Sequence, residues 1–239
     1  MGALRSRLNY NDGDACLKDR GTSASQVKSR LVRGELLSAV LAALSLDPAD
    51  LIALLAADAL GDDQSLGPTL VQASPRAPKL LPQLSEAAWA LVFPKSPRTS
   101  RLNLASGLLL VHDFWDASHT AAQEADDLGE REFSAYWHGI AHRREPDAGN
   151  ANYWFRRVGR HPVFAPLSEE ARPLLEEHGD PQLTKRLSGG GWNPSAMIEL
   201  CTQAPAGTPD ETLARRLQRL EMWVLLEATI AGLDGVSDS

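Results

Sequence analysis

Cysteine is scarce in this chain. Cys16 and Cys201 stand far apart and neither has a C-x-x-C partner, which excludes a disulfide framework and a cysteine zinc knuckle. Both read as ordinary thiols. Cys201 follows Met197 and Ile198 on an apolar helical pattern, the setting of a small buried side chain and not of a nucleophile. Long apolar runs are missing too: no stretch approaches the roughly 20 residues that cross a bilayer. The opening MGALRSRLNYNDGDACLKDRG lacks the apolar centre of a signal peptide. The expectation is a cytoplasmic protein with no membrane partner. Positive charge is in deficit, with a formal net charge of -7. A chain without a dense Lys/Arg surface is not expected to bind nucleic acid. No repeat of fixed period marks a solenoid, and H-E-x-x-H does not occur.

What is present describes a globular chain. Its 239 residues, 43% hydrophobic and 23% charged, are enough for one proper core. Residues 1–24 have no sustained period and read as a loosely ordered N-terminal arm, with 25–239 as a single helical domain. From Ser25, the residues Val27, Leu31, Leu36, Leu37, Val40, Leu41 and Leu44 recur at helical spacing and predict one amphipathic helix. Asp47-Pro48 caps and opens a second, which stops at Gly61. Pro68, Pro75, Pro78 and Pro82 make residues 61–82 a connector. A short helix over 85–93, capped by Ser85, follows and ends before Pro94. Helices are then predicted over 102–126, 130–144, 150–158 and 168–178. Asn193-Pro194 opens another through Cys201, and a last one over 211–231 is capped by Asp210. The fold class is all-α: a single-domain irregular helical bundle with long central antiparallel helices and a Pro-rich connector.

Chemistry concentrates between His112 and Glu145. In VHDFWDASHTAAQ, His112, Asp116, His119 and Gln123 fall at steps of four, three and four, within a stripe roughly 60° wide. In SAYWHGIAHRRE, Ser134, His138, His142 and Glu145 fall at steps of four, four and three on one face of the next helix. The short turn around Asp127-Leu128-Gly129 favours antiparallel packing that aims the two stripes at each other. Paired imidazoles and carboxylates on adjacent helices suit a divalent metal, Zn, Mn or Fe. The candidate ligands are His112, Asp116, His119, His138, His142 and Glu145, with His112, His138 and Glu145 as the catalytic candidates. Arg144 and Arg157, beside Trp137 and Tyr153, are the candidates for holding a small, anionic substrate, because Arg pairs suit phosphate and carboxylate. A metal-dependent, hydrolase-like enzyme acting on a small-molecule ligand is the leading expectation. Oligomeric state is not readable.

Other readings stand beside it. Histidines and carboxylates at these spacings also satisfy one another as a structural network. Arg143 and Arg144 can simply pair with Glu145 and Asp147, while the aromatics Tyr136, Trp137, Tyr153, Trp154 and Phe155 serve as core or pocket wall. One His-carboxylate pair can act as a metal-free acid-base site. The dyad His112-Asp113 in LLLVHDF resembles that of the HD phosphohydrolases, which are metal-dependent and all-helical. No histidine precedes His112 to supply their upstream ligand. GNANYWFRRVG superficially resembles a helix of Sel1-like or tetratricopeptide repeats, which would make the chain an interaction module.

The block WHGIAHRREPDAGNANYWFRRVGRHPVF, with weaker continuation through GGWNPSAMIELC, resembles a family of bacterial and fungal proteins of no assigned activity. The resemblance spans roughly residues 100–230. It implies no substrate, cofactor or site residue.

Overall fold

Side-chain caps start six of the thirteen α-helices among the described residues. The computed structural model describes residues 2–233; residue 1 of the expected arm and residues 234–239 of the expected domain lie outside the described residues. Two strands, β1 (Leu8–Asn11) and β2 (Asp14–Leu17), come first, followed by α1 (Ala24–Val32), α2 (Leu37–Leu44) and α3 (Pro48–Leu60). Then come α4 (Leu81–Leu84), α5 (Glu86–Val92), α6 (Arg98–Val111), α7 (Trp115–Asp127), α8 (Phe133–Arg144) and α9 (Ala148–Val158). The chain closes with α10 (Phe164–His178), α11 (Pro181–Ser188), α12 (Pro194–Gln203) and α13 (Pro209–Ile230). This is an all-helical fold with one small hairpin.

Capping explains those six starts. Ser23 and Asp47 form capping boxes with Gln26 and Asp50, while Asp147, Asp180 and Asn193 accept first-turn N–H groups of α9, α11 and α12. The last helix is capped by Thr208, ahead of Pro209, and not by Asp210 as expected. Ser85 sits at the N-cap of α5 but makes no capping bond; its hydroxyl donates to the Pro82 carbonyl.

The expected loose arm is held. Asp12 and Gly13 both take positive φ (51° and 82°), as a tight two-residue hairpin turn requires, and set Leu8 opposite Leu17. Leu4, Leu8, Ala15 and Leu17 are buried, and Arg5 reaches Glu170 on α10 and Glu227 on α13 at 2.6 and 2.9 Å. The helix expected over 25–44 is two helices. Gly34, at φ 91°, ends α1 with its N–H on Leu31 and that of Glu35 on Arg30, a Schellman closure.

Four helices form the interior. α3, α6, α8 and α13 are buried nearly all round, which is why their apolar residues do not keep to one face. Two glycines let α8 approach its neighbours: a Cβ on Gly107 would lie 2.7 Å from the Trp137 ring, and one on Gly139 would lie 2.8 Å from Phe155. α8 is thereby wedged between α6 and α9, with α7 packed along it. The Pro-rich connector is strapped over this layer. Gln72 N–H donates to the Arg144 carbonyl, Arg215 donates to Gly67 O, and Gln218 donates to Thr69 O. Among the described residues no single helix is long and apolar enough to cross a membrane.

Candidate metal centre

His138 and His142 are one turn apart on α8, and α7 lays His119 across them. The His119 ring centroid is 4.2 Å from His138 and 5.1 Å from His142, both edge-on. One ring nitrogen from each of the three histidines lies within 4.8 Å of the other two. Indoles hold the cluster on two sides. Trp115 stacks on His119 at 4.9 Å and donates Nε1–H to the Ala141 carbonyl at 2.8 Å, which pins the start of α7 to α8. Trp154 of α9 lies flat on His138 at 3.8 Å. Over the Trp154 ring, at 4.9 Å, sits the Arg157 guanidinium, itself held by both oxygens of Asp126 at 2.7 and 3.0 Å.

The electrostatics keep two of these rings as free bases. His138 is 1% exposed and its Nδ1 makes no hydrogen bond. Burial, then the neighbouring His119 and His142 and the Arg157 charge, push its pKa down to about 3. His119 is half-buried and is also lowered, by burial and by His142, against the opposing pull of Glu145 and Asp116. On His142, Nδ1 lies 2.8 Å from Glu145 Oε2. An ionised carboxylate only accepts, so Nδ1 carries a proton, and in the neutral ring Nε2 is the nitrogen with the lone pair. Asp147 joins His142 and Glu145 in a second close grouping while also capping α9. The arrangement therefore offers imidazole lone pairs at a partly buried cluster, the donor set of a transition-metal site.

The structure brings together only part of the expected site. His119, His138, His142 and Glu145 converge as the two stripes required. His112 does not: α6 ends at Val111, and the His112 ring donates Nε2–H to the Leu55 carbonyl at 3.0 Å, away from the cluster. Burial lowers its pKa. The helix expected over 102–126 is broken because Asp113 takes φ 65° and closes α6 as a Schellman motif, its N–H on Leu110 and that of Phe114 on Leu109. Asp113 itself pairs with Arg144 at 2.5 Å, so the HD-like dyad is split between two unrelated partners. Asp116 stays on α7 beside His119 but is exposed and outside the ligand grouping.

The substrate candidates are also redistributed. Arg144 is fully buried, bonded to Thr69 O, Leu110 O and Asp113, and is a structural cation. Arg143 pairs with Glu221 of α13 and not with Glu145 or Asp147. Trp137 is core, with its indole N–H on Thr229. Tyr153, 46% exposed, and Arg157 remain at the rim. Trp115 and Asp126 were missed. Trp115 is four residues before His119, so the spacing carried a signal for it; Asp126 had none. No protein-family model matches the chain, and neither a curated protein nor a solved structure matches it significantly.

Proposed function

We propose that the protein is a metal-dependent, hydrolase-like enzyme in which His119, His138 and His142 hold one divalent transition-metal ion and the substrate is a small molecule. The observation that carries this reading is the convergence of three imidazole nitrogens within 4.8 Å, with the buried Nδ1 of His138 left without a hydrogen-bond partner. A buried polar atom in that state costs about 1–3 kcal/mol, which a bound ligand at the site offsets. Imidazole donors without thiolate suit zinc first, with iron and manganese as the alternatives. Bound with an open position, such an ion polarises a substrate oxygen and acidifies a water.

The chain's own residues prepare the site. His119 and His138 are held neutral, so no proton has to leave them before they ligate. Glu145 positions His142 and fixes its tautomer. Trp115 and Trp154 fix the planes of two rings and exclude water from one side. We place the protein in the cytoplasm: both cysteines are free thiols, as in a reducing compartment.

Metal analysis of the purified chain tests the reading, with near one equivalent of zinc expected. Zinc added to chelated protein at about a hundred times its Kd should raise Tm by about 5–10 °C. His119→Ala and His142→Ala should lose the ion, and Glu145→Gln should weaken binding about 10–100-fold. A wild-type chain with no stoichiometric metal, and no thermal response to zinc, manganese or iron, overturns it. Activity that survives chelation would instead favour a metal-free acid-base role for the His142–Glu145 pair.

A further inference from the structure

The expectation of an anionic substrate rested on arginines, and the fold has used them. Arg144 spends its guanidinium on two carbonyls and Asp113, and Arg143 is buried against Glu221. Arg157, which acts on His138, is paired with both oxygens of Asp126. What faces the rings instead is acidic. Asp116 stands one turn before His119, exposed, with no hydrogen bond or ion pair to its carboxylate among the described residues. Glu145 gives Oε2 to His142, and among the described residues its Oε1 is unbonded. Asp147 is exposed and lies in the same close grouping as His142 and Glu145.

These three carboxylates outnumber the two charges of a divalent ion, so the loaded centre keeps a negative bias. His119 is the most open of the three rings, and Asp116 and Glu145 are the acidic groups that act on it. The most open side of the cluster is therefore the one these carboxylates act on. The half-buried indole of Trp115, stacked on His119, adds a π surface, which attracts cations and repels anions. A site lined by one sign of charge concentrates ligands of the other.

Resting on the metal-enzyme reading above, we infer that the substrate is a small molecule carrying a positive charge, an amine or a guanidine, close to the atom that meets the metal. The test uses three hydroxamic acids of similar size on the zinc-loaded full chain, with affinity read by calorimetry. Acetohydroxamic acid is neutral, glycine hydroxamic acid carries an ammonium, and malonic monohydroxamic acid carries a carboxylate. The ammonium compound should bind about fivefold tighter than the neutral one, and the carboxylate compound weaker by a similar factor. The spread should shrink in high salt and in Asp116→Asn, a change at an exposed position. Zinc retained with the carboxylate compound binding as tightly as the neutral one, or more tightly, overturns the inference alone. A chain that holds no zinc overturns the metal reading and this inference together.

Discussion

Glu221 on α13 is fully buried and takes two hydrogen bonds and one ion pair from other parts of the chain. Tyr136 of α8 donates its hydroxyl at 3.0 Å, Trp192 donates its indole N–H at 3.1 Å, and the Arg143 guanidinium lies 2.6 Å away. Cys201 is beside this group, and burial pushes its thiol up to about 11, as befits an inert core cysteine. No guanidinium nitrogen of Arg143 makes a hydrogen bond, so the charge depends on its ion pair with Glu221. Glu221→Ala should therefore destabilise the fold by about 3–5 kcal/mol, because it leaves a buried cation uncompensated. Urea denaturation measures this. A loss under 1 kcal/mol would mean that water reaches Arg143. The pairing joins residues 78 apart in the sequence, which no spacing rule connects; reading Arg143 with its neighbours Glu145 and Asp147 was the natural local choice, and it was wrong.

At the scale of elements, most helix interiors were readable, α11 was not anticipated, and some helix ends were not readable. Gly34 and Gly129 both close helices at positive φ and both announce themselves as glycines. Asp113 does the same work at φ 65° without that signal, so α6 and α7 read as one helix and His112 was placed on the wrong stripe. The hairpin of β1 and β2 was missed for a different reason. Asp12-Gly13 is a strong hairpin turn, but the flanking strands are four residues each, and only β1 alternates. The Asp113 turn carries a prediction. Asp113→Gly removes a left-handed strain of about 1–2 kcal/mol but unpairs the buried Arg144, worth about 3–5 kcal/mol. The net change should be a loss of about 1–4 kcal/mol. A glycine variant more stable than wild type would show that the strain outweighs the ion pair.

Two buried imidazoles give the whole molecule a pH dependence. His138 has its pKa pushed down to about 3, by burial first and then by its two neighbouring histidines and Arg157. His161 is pushed down to about 4 by burial among Phe133, Tyr136 and Phe164. Its Nδ1 accepts from Val163 N–H, and its Nε2 makes no hydrogen bond. Unfolded, both rings titrate near 6.5. Between these values the unfolded chain binds more protons, so the stability these rings contribute is complete above about pH 6.5 and is lost as pH falls toward 4 and then 3. Each ring contributes a slope of at most about 1.4 kcal/mol per pH unit in that window. Thermal melts of chelated protein from pH 7.5 to 5 should show Tm falling with acid, and His161→Phe should flatten the fall. A Tm unchanged down to pH 5 would show that the rings are solvated.

Composition and period by themselves determined the helical class, the helix starts at Asp47 and Asn193 through their capping residues, and the placing of His138, His142 and Glu145 on one helix face. All of these depend on residues within four or five positions of one another. Tertiary packing decided which histidines meet, because that turns on where α6 stops and how closely Gly107 and Gly139 let α8 approach its neighbours. It also decided the fate of the arginines. A buried guanidinium must find its acceptors wherever the folded chain brings them, and here they are Glu221, Asp113 and the carbonyls of Thr69 and Leu110.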